Sequence, residues 1–168
     1  MRLGGISMEI PTIEVKDIEF KVIYVRFKGS YLEFRRNAMK MFKKLEKYAI
    51  KHNLLVDQLT KVMTLYHDNP FITDQDNLRT SVALSVPLSF SVKDEDEVSE
   101  LMIQGKYAVL HYSLTLKDYE EAWWYAYHDW LFKSNVKPRD TFPFELYVTK
   151  PPRNFKDTSH TDIYIPIE

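Results

Sequence analysis

Apolar and polar positions change period several times along the chain, and each change marks an element. Ile13 to Phe27 carries Phe20, Val22 and Tyr24 with the β-branched neighbours Ile23 and Val25, which predicts a strand. Gly29-Ser30 ends it. Ser30 and Glu33 are spaced as a capping box: the hydroxyl takes one orphan amide and the carboxylate reaches back to another, so a helix opens here. Phe34, Ala38, Met41, Phe42, Leu45, Tyr48 and Ala49 recur at helical spacing, with Arg35, Arg36, Lys43, Lys44 and Lys47 on the rest of the surface. This pattern runs to about His52, with Asn53 as the stop. Strands follow over Lys61–His67 and Arg79–Pro87, joined by a polar loop from Asp68 to Asn77.

The stretch 92–100, VKDEDEVSE, is acidic and poor in large apolar groups, and reads as a solvated joint. After it the order repeats. Tyr107–Leu116 predicts a strand, Asp118 with Glu121 a helix cap, and Trp123, Ala126, Tyr127, Trp130 and Leu131 the apolar face of a helix reaching about Phe132. Phe144–Thr149 and Thr161–Ile167 are the closing strands, separated by a Pro-rich loop. The letters repeat as well: LYHDNP (65–70) parallels LYVTKP (146–151), and RTSVALSVP (79–87) parallels HTDIYIPI (160–167). The expected architecture is α+β: one domain of two βαββ halves, about 13–90 and 104–168. Their antiparallel sheets would lie about a pseudo-twofold axis, with a ligand groove between the copies.

Composition narrows the function. An apolar fraction of 45% and an aromatic fraction of 14% exclude intrinsic disorder. With 23 basic and 24 acidic residues the net charge is −1, so no global basic surplus points to nucleic acid. The absence of cysteine removes disulfides, thiolate catalysis and thiolate metal sites. The five histidines fall in no metal-ligand spacing, and neither a phosphate-cradling glycine loop nor a GxSxG elbow is present, so no metal or cofactor is expected. No window approaches the roughly 20 apolar residues of a membrane span. The start has no apolar stretch long enough for a signal peptide, and a cytoplasmic address is expected.

Glu145 is the principal candidate for chemistry. In the strand Phe144–Val148 side chains alternate, and the pattern puts Phe144, Leu146 and Val148 on the helix-covered face, with Glu145 and Tyr147 opposite. A carboxylate at the centre of such a strand either faces solvent as an ordinary surface group or meets a partner; buried alone it costs several kcal/mol. Aromatic density is the second signal. Tyr24, Tyr66, Tyr112, Tyr147, Trp124 and Trp130 are candidate lining for a pocket that receives planar, lipophilic or cationic groups. Core packing is the plainer account of Trp123, Tyr127 and Trp130, which lie on the helical stripe, whereas Trp124 and Tyr125 fall off it.

The loop YHDNPFITDQDNLRTSVALSVP (66–87), the segment QGKYAVLHYSL (104–114), FELYV (144–148) and the terminus TDIYIPI (161–167) resemble the GyrI-like small-molecule-binding superfamily. This group includes effector-binding domains of AraC- and MerR-type multidrug regulators and stand-alone proteins similar to the bacterial DNA gyrase inhibitor. The resemblance implies a duplicated βαββ fold and a pocket between repeats. It also implies an acidic residue in the penultimate strand, here Glu145, that meets lipophilic cations, and the expected ligand is a small lipophilic molecule, cationic or electrophilic, taken up for sensing or sequestration. It leaves two alternatives. Some stand-alone members hydrolyse cyclopropanoid toxins with a tyrosine and this glutamate, which by position are Tyr112 and Glu145; others act on DNA gyrase as a protein partner. The chain departs from the family at Ser81, where LR-x-D is common, while Asp162 keeps the second copy. With no helix-turn-helix segment in view, direct binding of nucleic acid is not expected.

Overall fold

A computed structural model describes residues 8–93, 97–150 and 156–168. The chain divides into two compact units, one formed by Ile18–Gly105 and the other by Met1–Asp17 with Lys106–Glu168. Strand β1 (Thr12–Lys28) contributes to both.

In the Ile18–Gly105 unit, β1 leads through Gly29 into helix α1 (Tyr31–Lys51), followed by β2 (Val62–Tyr66) and β3 (Arg79–Val86). Gly29 has φ +151°, and a Cβ there would stand 2.8 Å from the Phe27 ring, so the corner needs glycine. Ser30 caps α1 as its spacing predicts, its hydroxyl oxygen accepting the Glu33 N–H at 3.1 Å. Asn53, at φ 55°, follows the helix end. The strands pair antiparallel in the order β1–β3–β2, with Ile23 opposite Leu84 and Val62 opposite Leu84. Phe34, Met41, Leu45, Tyr48 and Ala49, the buried part of the predicted stripe, pack on Ile23, Val25, Val82 and Leu84. Each such large side chain contributes about 1.5–3 kcal/mol by leaving water.

The other unit has β4 (Ser99–Leu114, joining it at Lys106), helix α2 (Tyr119–Trp124), β5 (Phe144–Tyr147) and β6 (Ser159–Pro166). Its sheet order is β4–β6–β5, again antiparallel. Element order is therefore strand, helix, strand, strand in each unit. β4 begins inside the stretch expected to be a joint: Val98 is buried and pairing starts at Ser99, so the charged run is shorter than its composition suggested. Residues 94–96 of that run lie outside the described residues. The second cap also differs. Thr115 opens the helical segment, and the Asp118 carboxylate accepts from the Thr115 N–H at 2.9 Å and its hydroxyl at 2.8 Å, so Asp118 closes the box and does not open it.

Past Trp124 the helix widens into a π-helical stretch, Tyr125–Leu131, and Phe132 N–H bonds the Tyr127 carbonyl at 3.1 Å. Ala122, Ala126 and Leu131 bury against Ala108, Leu110, Ile163 and Ile165, with Trp123, Tyr127 and Trp130 packed around them. Among the described residues no helix is long and apolar enough to cross a membrane.

Candidate functional site

Strand register decides where Glu145 points. Glu145 lies opposite Ile163, and Ile163 lies opposite Leu110 and belongs to the core beneath α2. Glu145 and Tyr147 therefore project to the helix-covered face, the reverse of the expectation from alternation. The reason is that β5 is buried on both sides. Phe144 is 0% and Leu146 4% exposed on the far face, where Phe144 stacks on Tyr164 at 4.5 Å and meets the Tyr107 edge at 5.5 Å. Apolarity alone then carries no information about which face the helix covers.

Glu145 is itself only 4% exposed, which removes the solvent-facing reading. Its Oε2 accepts the Trp123 indole N–H at 2.7 Å and its Oε1 accepts the Tyr147 hydroxyl at 2.8 Å. Both donors are neutral. The Trp123 ring is stacked with Tyr127 one turn on, 6.2 Å between centroids. Tyr119, one turn before Trp123, shares a 2.8 Å hydrogen bond with Thr161. Burial, then the Glu145 charge, push the Tyr119 hydroxyl up to about 12, against the opposing hydrogen bond from Thr161. The site is thus a carboxylate held between a strand and one aromatic helix face made of positions 119, 123 and 127.

Tyr112 lies opposite Thr161 on the same helix-covered face and is 3% exposed; its hydroxyl donates to the Ala122 carbonyl at 2.8 Å. Burial holds that hydroxyl far above its ordinary pKa. Trp130 is half-buried against the core. Trp124 is 51% exposed and tilts over His128 at 4.9 Å, on the outer side of the helix. Tyr24 and Tyr66 belong to the other unit, on opposite faces of its sheet. Tyr24 lies under the Arg26 guanidinium, 5.3 Å from its ring centre, and Tyr66 meets Tyr31 edge-on at 5.7 Å. Tyr24 and Tyr112 differ in direction: Tyr112 faces the helix of its unit and Tyr24 faces away from α1. Trp123 and Tyr119 were missed as site residues. Their helical spacing marks one face with Tyr127, but only the register against β5 reveals that Trp123 reaches a carboxylate. Among the described residues no three histidine or carboxylate groups are disposed to hold a metal ion.

Comparison with known proteins agrees with this architecture. The chain is 32% identical over 89 residues to a DNA gyrase inhibitor of Yersinia enterocolitica, covering 51% of this chain and 57% of that protein. The chain thus spans little more than half the length of the curated relatives it matches. The EcmrR C-terminal domain superposes with a TM-score of 0.71 at 17% identity, covering 95% of this chain and 99% of that one. The structure of SAV2435 bound to tetraphenylphosphonium superposes with a TM-score of 0.62 at 10% identity, covering 94% of each. These two likenesses show the fold. Residues 8–168 match the family described as GyrI-like small molecule binding domain, and the chain belongs to that family.

Proposed function

We propose that the chain captures a small lipophilic cation, for sensing or sequestration, with Glu145 as the anionic contact. The carrying observation is a carboxylate 4% exposed beneath an aromatic helix, its oxygens accepting from an indole and a phenol. The indole and the phenol orient the carboxylate by donating to its two oxygens. In a site of low effective dielectric, attraction between that charge and a cation is several-fold stronger than in water. The flanking rings of Trp123, Tyr127 and Tyr147 add faces suited to cationic and planar groups. A protein of the same fold bound to tetraphenylphosphonium makes that cation the natural probe. The engaged hydroxyl of Tyr112, its proton given to a backbone carbonyl, supports binding over turnover, because an acid so held is poorly placed to protonate a substrate.

Calorimetric titration with tetraphenylphosphonium tests the reading, with the neutral triphenylphosphine oxide as comparison. The cation is expected to bind more tightly than the neutral compound. Glu145→Gln, which keeps size and hydrogen-bonding capacity, is expected to weaken the cation by about tenfold or more and the neutral compound little. Equal loss for both compounds, or none for either, would overturn it.

A further inference from the structure

On the opposite face of the same sheet, away from Glu145, a second group of ionisable side chains meets. His111 of β4 lies opposite Asp162 of β6, with its Nδ1 2.7 Å from Asp162 Oδ1. Its Nε2 is 2.7 Å from Oε1 of Glu14, on the first part of β1. A neutral imidazole has one donor and one acceptor; only the imidazolium donates at both nitrogens. Both short contacts are hydrogen bonds together only when His111 carries its proton. The other ionisable groups nearby are Lys16 on β1, 3.2 Å from Glu14; Glu9 just before β1; and His160 and Tyr164 on β6. A cavity of about 470 Å³ lies here, its lining including Glu9, Ile10 and Thr12 together with His111, Ser113 and His160.

We propose that His111 is a proton-operated clasp that fastens the segment Glu9–Asp17 over this cavity and releases it when the proton leaves. The direction of release follows from exposure. The Glu14 side chain is 48% exposed and that of Asp162 12%, so water replaces the Glu14 contact more cheaply. Neutral His111 keeps Nδ1–H on Asp162 and turns its Nε2 lone pair toward Glu14, where two acceptors repel. Met8 and Ile13 pack in the core beneath α2 and keep the segment anchored at those two points, so release loosens the residues around Glu14 and the unit stays folded. Burial alone would lower the His111 pKa, but the hydrogen bonds it donates to Asp162 and Glu14 outweigh this and hold it above the ordinary histidine value. The clasp is therefore closed below that ordinary value and opens as pH rises through the raised one.

Hydrogen exchange of the full chain, read by mass spectrometry on peptides covering 9–17 and corrected for the intrinsic pH dependence of exchange, tests this. Between about pH 5.5 and about pH 8.5, protection of this segment is expected to fall by about fivefold or more. Glu14→Gln, at an exposed position that leaves the fold intact, is expected to abolish that step and to lower the His111 pKa followed by imidazole NMR. Three results would overturn the proposal: protection that does not change with pH, the same step in Glu14→Gln, or a step that disappears in His160→Gln instead.

Discussion

Trp123 and Tyr147 direct their only side-chain protons at Glu145, and Tyr112 directs its own at the Ala122 carbonyl. The first two place a charge; the third fastens α2 to β4. Losing the Tyr112 bond leaves the ring packed and the carbonyl short of one donor, so Tyr112→Phe is expected to cost about 1 kcal/mol of unfolding free energy, read by urea denaturation. An unchanged midpoint would show that the hydroxyl contributes nothing to holding the helix. Glu145 stood out in the sequence as a candidate, because a carboxylate amid Phe, Leu and Tyr in a strand is conspicuous. Its partners were not. An indole on a helix and a carboxylate twenty-two positions on meet through tertiary register, and no local pattern encodes that.

Elements whose signal is local were legible almost to the residue. The Ser30 cap, the α1 stripe and the three strands of the Ile18–Gly105 unit stand where period and punctuation put them. Ser30→Ala is accordingly expected to lose about 1 kcal/mol, since the Glu33 amide then has no side-chain acceptor; thermal unfolding followed by circular dichroism measures it. Where two faces are buried, or where charge hides a strand, the pattern failed. β5 gave the wrong face because Phe144 and Leu146 are as buried as Glu145. The start of β4 passed for a loop because its first residues, Ser99 and Glu100, are the end of the acidic run 92–100. The π-helical widening after Trp124 leaves no mark on a count at 3.6 residues per turn, yet the predicted face of Trp123, Ala126, Tyr127, Trp130 and Leu131 does pack on the core.

Across the whole chain, two histidines set opposite limbs of the pH dependence. His67, 2.7 Å from the Ser81 hydroxyl, is pushed down to about 4 by burial and by the charges of Arg26 and Arg79. The unfolded chain takes up a proton there first, so the stability it supports is complete above the ordinary histidine value and drains away as pH falls toward 4. His111 is raised, and its contribution drains away as pH rises. Stability is expected to peak near about pH 6.5 and to fall by about 2 kcal/mol by about pH 4.5, after allowance for solvent screening. Urea unfolding across that range measures it, and His67→Gln should flatten the acid limb. Asp68, held low by its hydrogen bonds from Arg79, adds to acid loss only below the ordinary carboxylate range.

The three tryptophans, Trp123, Trp124 and Trp130, all fall between Tyr119 and Leu131, and the Ile18–Gly105 unit has none. Nature has therefore fitted one unit with a private lamp. Emission excited at the indole band reports the α2 region alone, whereas the far-ultraviolet ellipticity is dominated by the 21 residues of α1 in the other unit. Following both signals through one melt separates the fates of the two units without any added dye.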